Sequence, residues 1–224
     1  MEQTPILVTI TSPTAAGKSY LFNYIRDVAK MPCLISTTTR PARAGEQEGV
    51  DYFFISEEES KRLEAEDQFA ELAVYRGIRY GVTKEEFHSK LSQGVAFLIV
   101  EPTGIDHYAK PALEVGADHL KFYIHTDPEI RQQRFIERAM SDFQLEIDKF
   151  SGDSTALKKL FKSYMDRQRA VSTVEMQWYE MVQWDRILFG TEPPETNLKI
   201  ILDTLATHAI RSASAKSSGG LKLN

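Results

Sequence analysis

Apolar positions along this 224-residue chain fall into short runs separated by amphipathic stretches. Runs rich in β-formers occupy 6–11 (ILVTIT), 33–36 (CLIS), 95–101 (VAFLIVE), 121–125 (KFYIH) and 186–189 (RILF), and helical spacing fills most of the intervals. Strands alternating with helices predict an α/β fold whose parallel sheet is covered by helices on both faces. The spacing over about 18–30 predicts a helix with Leu21, Phe22, Ile25 and Val28 turned to the sheet, and that over about 195–210 predicts one burying Leu198, Ile201, Leu202 and Leu205.

The alternation breaks between 37 and 94. Pro41 and Gly45 are followed by a run at 51–55, a helix from about 57, a run at 69–75 and a second helix from about 84, which reads as an inserted α+β lobe. Ser56 with Glu59, and Thr83 with Glu86, form capping boxes at the two helix starts, and Gly94 is placed to stop the second helix. Residues 127–140 read as a helix behind Asp127-Pro128. The polar stretch 143–183 reads as a mobile helical segment, and 212–224 (SASAKSSGGLKLN) as a disordered tail too poor in apolar residues to fold.

Composition narrows the functional classes. Net charge is −5, with 27 Lys+Arg against 32 Asp+Glu, so the chain lacks the global basic field that drives non-specific nucleic-acid binding. Anions must be held by local clusters. A lone cysteine, Cys33, excludes an internal disulfide framework and a cysteine-based zinc site, and it fits a cytoplasmic location. No apolar run approaches the roughly 18 residues of a membrane helix, and the N-terminus has no secretory pattern. His88, His107, His119, His125 and His208 have no metal-ligand spacing.

Two segments carry chemistry. After the first strand, Ser12-Pro13-Thr14-Ala15-Ala16-Gly17-Lys18-Ser19-Tyr20 ends as a Walker A loop should: backbone N–H groups wrap phosphates, Lys18 reaches their oxygens, and the Ser19 hydroxyl can ligate Mg²⁺. Ser12 and Ala15 replace two glycines of this loop. A positive φ at Ser12 would cost about 1 kcal/mol. Downstream lies Ser36-Thr-Thr-Thr-Arg40-Pro-Ala-Arg43-Ala-Gly-Glu46, then Gly49-Val-Asp51-Tyr52-Phe-Phe. Two arginines three residues apart and a tyrosine can converge on one phosphate.

This string resembles the guanylate kinase family, whose nucleotide lobe carries S-x-T-T-R-x-P-R-x-G-E-x-x-G-x-D-Y-x-F. The match continues through Phe69-Ala-Glu71, Gly77-Ile-Arg-Tyr80-Gly81, and Glu101 with Thr103-Gly104, spanning about residues 6–107. The resemblance implies the P-loop nucleoside monophosphate kinase fold: one domain over 1–211 with its core at 1–35, 95–126 and 184–211, an NMP-binding lobe at 36–94, and a helical lid with an insertion at 127–183. It implies ATP and Mg²⁺ at Lys18 and Ser19, and a GMP or dGMP acceptor held by Arg40, Arg43, Tyr52 and Tyr80 through its phosphate. Glu71 would accept from the guanine N1–H and 2-amino group, Ser36 would face the 6-oxygen or N7, and Glu101 would lie near the metal and base. Arg131, Arg134 and Arg138 on the helix after Asp127, and Arg167 or Arg169, are the candidate lid arginines. A monomer or homodimer is expected.

The chain departs from the family further on. Val82 stands where a base-reading hydroxyl follows Tyr-Gly, Ile99 replaces the first of two acids, and Gly190 replaces an asparagine near the donor adenine. Val82 suggests a relaxed reading of purine position 6 that admits 2,6-diaminopurine nucleotides. Trp178 and Trp184, with Met176, Tyr179 and Met181, read as packing between lid and core. Competing classes are a catalytically weak phosphopeptide-binding module of the same fold and a DNA-directed P-loop kinase, against which the acidic balance weighs.

Overall fold

The computed structural model describes residues 4–43, 45–75, 77–147 and 175–218, with isolated positions 155, 158, 159, 162, 165 and 166. Its centre is a parallel sheet of β1 (Ile6–Thr11), β6 (Val95–Ile99), β7 (Asp118–His125) and β8 (Arg186–Phe189) in the order β6-β1-β7-β8. β1 is buried at every position, as a central parallel strand with two covered faces must be. Its odd and even residues face different layers. Ile6, Val8 and Ile10 pack with Leu21 and Ile25, and with Leu198, Ile201 and Leu205 of the C-terminal helix. Leu7 packs in the other layer with Leu34, Phe87, Leu91, Ala96 and Leu98.

A second sheet interrupts the first. β2 (Thr37–Thr38), β3 (Phe53–Phe54), β4 (Phe69–Tyr75) and β5 (Ile78–Thr83) are ordered β3-β2-β5-β4, with an antiparallel β4–β5 hairpin. Helices α2 (Glu57–Ala65) and α3 (Lys84–Leu91) start at Ser56 and Thr83, whose hydroxyls accept from the backbone N–H of Glu59 and Glu86. Gly94, at φ +98°, donates to the Leu91 carbonyl and ends α3. Short helices α4 (Pro102–Ile105) and α5 (Ala109–Glu114) flank a 3₁₀ turn, Asp106–Tyr108. They link β6 to β7, after which come α6 (Pro128–Ile147), a 3₁₀ segment at Glu175–Met181 and α7 (Pro194–Ser218).

Several expectations need correction. The 33–36 run makes a single bridge, Cys33 to Phe97, in place of a strand. The first helix is α only over α1 (Lys18–Asn23) and continues as a π turn through Val28. The wider turn rotates Val28 off the buried stripe, leaving it 63% exposed. Leu202 is likewise outside the core, at the edge of the stripe formed by Leu198, Ile201 and Leu205. Residues 212–218, expected in the unstructured tail, extend α7, where alanines and lysine favour continuation. Among the described residues, no helix is long and apolar enough to cross a membrane.

Candidate active site

The turn from β1 into α1 opens on a cleft of about 810 Å³. Ser12, Pro13, Thr14, Ala15, Gly17, Lys18, Ser19 and Tyr20 line it, and Glu101 joins them from the end of β6. Ala16 is buried, and its carbonyl accepts from the Thr126 hydroxyl at 3.0 Å. The expected strain falls at a different residue: Ser12 has no positive φ, whereas Ala15 is left-handed at φ 62°. Burial lowers the Lys18 pKa, while the charges of Glu101 and Glu175 raise it. Arg134 and Arg138 reach the cleft from α6, and the Arg134 guanidinium donates to the Gly190 carbonyl at 3.1 Å.

The same cleft contains residues that the motif did not announce. Glu175, 8% exposed, accepts from the Thr14 backbone N–H at 2.6 Å and from its hydroxyl at 2.8 Å. Arg131, a candidate lid arginine, is 3% exposed and lies behind this contact. Its Nε donates to the Thr126 carbonyl, and its Nη1 is 3.9 Å from Glu175. Gly190 presses against the loop so closely that a Cβ there would lie 1.7 Å from the Ala16 oxygen. Trp178 lines the cleft, whereas Tyr179 and Trp184 pack on Tyr123 of β7. Arg167 and Arg169 lie outside the described residues, as does most of 141–163.

The second sheet gathers the other candidates. The Arg40 guanidinium makes two bonds to the Glu46 carboxylate, at 2.6 and 2.7 Å, and lies 4.9 Å from the Tyr52 ring centroid. Tyr52 meets Tyr80 edge-on at 6.2 Å. Glu46 also accepts from the Arg43 backbone N–H, so one carboxylate fixes both arginine positions while the Arg43 side chain stays exposed. Arg40 holds the Glu46 carboxyl below the usual range, and burial raises the Tyr52 phenol. Ser36 is half-buried just before β2, where its carbonyl accepts from Phe53 N–H.

Glu71 sits at a register shift in the β4–β5 hairpin, a bulge of the kind that re-aims a side chain. Gly81 permits the close approach there, since a Cβ would lie 2.6 Å from the Glu71 carbonyl. The Glu71 carboxylate accepts from the Tyr108 hydroxyl at 3.0 Å and faces His107 Nδ1 at 3.4 Å. Burial raises its pKa, and those two partners oppose the rise. Val82, expected to border the base, is fully enclosed in the core layer with Phe87, Leu98 and Tyr108, because the β5 pleat turns it inward.

A Walker A-type loop between β1 and α1 of a parallel sheet, with a second sheet inserted ahead of β6, is the arrangement of the P-loop nucleoside monophosphate kinase fold. A family model described as "Guanylate kinase" matches residues 3–147, more than half of the chain. The chain belongs to the guanylate kinase family. Among curated relatives, the guanylate kinase of Fusobacterium nucleatum is 41% identical over 93 residues, which are 42% of this chain and 50% of the relative. That of Synechococcus sp. is 43% identical over 96 residues, 42% and 43% of the two chains. The chain thus spans about half the length of the curated relatives it matches. The crystal structure of guanylate kinase from Anaplasma phagocytophilum has the same fold, with a TM-score of 0.61 at 20% identity, covering 92% of this chain and 87% of that one.

Proposed function

We propose that this chain transfers the γ-phosphoryl group of ATP to the phosphate of GMP or dGMP, giving the corresponding diphosphate. The observation that carries the reading is the pairing of two built sites in one molecule: a lysine-bearing phosphate loop, and a lobe combining the Arg40–Glu46–Tyr52–Tyr80 cluster with the enclosed carboxylate of Glu71. Phosphoryl transfer asks little covalent chemistry of a protein. It asks for alignment of two anionic nucleotides and for positive charge around the transferring group. An acceptor phosphate oxygen forms the new O–P bond as the bond from the donor's γ-phosphorus to its bridging oxygen breaks.

In this reading the loop N–H groups and Lys18 hold the donor, with Arg134 and Arg138 adding charge from α6. Arg40, Arg43, Tyr52 and Tyr80 hold the acceptor phosphate. Arg167 and Arg169 remain candidates for the same work. Glu71 accepts from the two N–H donors on one edge of guanine, which adenine lacks, and Ser36 faces the 6-oxygen or N7. Ser19 would hold Mg²⁺, with Glu101 nearby; when bound, the ion supplies charge neutralisation across the phosphates. No group of three acidic, histidine or cysteine ligands occurs among the described residues, which suits an ion held chiefly by substrate phosphates.

With Val82 packed in the core, position 82 offers no hydroxyl to the base, and 2,6-diaminopurine monophosphate, which keeps the 2-amino donor to Glu71 but lacks guanine's N1–H, is expected as a weaker additional acceptor. The test is turnover of a panel of monophosphates with ATP and Mg²⁺. No conversion of GMP or dGMP refutes the kinase reading, and phosphopeptide binding or phosphorylation of labelled DNA in its absence would support the competing classes. Strict guanine preference across the panel refutes the relaxed reading.

A further inference from the structure

The donor loop has lost a glycine at position 15 yet keeps the backbone conformation that favours one. Ala15 sits at φ 62°, where a Cβ crowds the following carbonyl at a cost that glycine does not bear. Such a conformation persists only where its surroundings over-determine it. The preceding residue, Thr14, is held at two points by Glu175: backbone N–H to Oε2 at 2.6 Å and hydroxyl to Oε1 at 2.8 Å. Two bonds to one carboxylate fix the Pro13–Thr14 peptide and the Thr14 side chain, the residue immediately ahead of Ala15.

The carboxylate is itself held. Glu175 is 8% exposed and begins the 3₁₀ segment Glu175–Met181, which is anchored to the sheet by Tyr179 and Trp184 against Tyr123 and by Trp184 Nε1–H donating to the Tyr179 carbonyl. Behind it, the Arg131 guanidinium is fastened to the Thr126 carbonyl through Nε, and its buried Nη1, which has no hydrogen-bond partner among the described residues, faces Glu175 Oε2 at 3.9 Å. A negative charge in a cleft built for polyphosphate is otherwise counterproductive, so its presence calls for a compensating task.

We propose that Glu175 is a positioning residue of the donor loop, bracing Thr14 so that Ala15 adopts the left-handed conformation a glycine would otherwise supply. Arg131 offsets the charge of the brace and takes no part in phosphate contact. The proposal rests on the loop being the donor site and assigns the 3₁₀ segment ahead of β8 a share in donor affinity.

The test is ATP affinity, measured by calorimetry on the full chain with Mg²⁺ and no acceptor. Considered only as a charge, Glu175 repels ATP, and Glu175→Gln would tighten binding. The brace predicts the opposite, a Kd raised about tenfold, the order expected for losing one charge-assisted hydrogen bond. Ala15→Gly introduced into Glu175→Gln should recover at least about threefold more affinity than the same substitution changes in the unaltered chain, a coupling read from the double-mutant cycle. Unchanged or tighter binding in Glu175→Gln, or equal effects of Ala15→Gly in both backgrounds, overturns the proposal. Should Glu175→Gln fail to fold, Thr14→Val removes only the hydroxyl bond and should weaken ATP about threefold; no change there also overturns it. A chain that binds ATP but does not phosphorylate GMP removes the kinase reading and leaves the brace testable by the same titrations, whereas one that binds no ATP removes both.

Discussion

Gly190 should be replaceable by no other residue without moving the phosphate loop. Its backbone carries no positive φ, so conformational freedom is not the reason for glycine; space is. A Cβ at this position lies 1.7 Å from the Ala16 oxygen, 2.3 Å from Thr126 Oγ1 and 2.9 Å from the Ala16 carbonyl carbon. Two of those atoms belong to the loop backbone, which cannot rotate away as a side chain would. Restoring ordinary contact in Gly190→Ala requires a relative shift of about 1.5–2 Å, because close-packed interiors transmit such strain instead of absorbing it.

Two consequences can be sized. Overpacking of this kind costs about 1–3 kcal/mol, and loss of the buried Thr126–Ala16 hydrogen bond adds about 1 kcal/mol. For a chain of this size that is a fall in Tm of roughly 4–16 °C. A loop displaced by more than 1 Å also loses near-attack geometry, which lowers the rate with ATP by about 100-fold. Thermal melts and initial rates for Gly190→Ala measure both. Gly94→Ala supplies the contrast: at φ +98° with nothing within 4 Å of an added methyl, it incurs backbone strain of about 1 kcal/mol and leaves ATP affinity intact. A Gly190→Ala protein melting within 1 °C of the parent, with unchanged ATP affinity, would refute the reasoning.

Tyr108→Phe removes the hydroxyl that orients Glu71; a hydrogen bond to a carboxylate is worth about 1.5–3 kcal/mol, so the KM for GMP should rise by about tenfold or more with kcat little changed. Because that bond also opposes the burial-driven rise of the Glu71 pKa, the variant should lose GMP affinity at a higher pH on acidification than the parent; identical pH profiles would count against Glu71 as the base reader. His119 gives a pH effect on stability. Burial holds its imidazole down to about 4, from 6.5 in the unfolded chain, so the unfolded state binds more protons between those values and stability falls as pH drops through that window. Denaturant titrations at pH 7 and pH 5 should differ by about 2 kcal/mol through this group, a difference that His119→Gln should abolish. Equal pH dependence in parent and variant would show that His119 is not the group responsible.

What the sequence makes legible follows from how local each cause is. β1, the capped starts of α2 and α3, and the Leu198–Ile201–Leu205 stripe depend on residues within one or two turns of each other, and these are readable. The π turn that exposes Val28 leaves no trace in periodicity, since one extra residue per turn shifts the stripe without changing its composition. The inward-facing Val82 escapes the motif as well, because alignment fixes a position along β5 but not the surface its side chain meets. Carboxylate partners are the largest gap. Glu46 is visible as a motif letter, yet its hold on Arg40 emerges only when the loop folds back over six residues. Tyr108 is 37 residues from Glu71, and Glu175 is 161 from Thr14, separations at which no spacing rule operates. The residues proposed to touch ligand are announced by local chemistry, whereas those that orient them are recruited across the fold, so the eroded glycines at 12 and 15 can be noticed in the sequence while the groups surrounding them cannot.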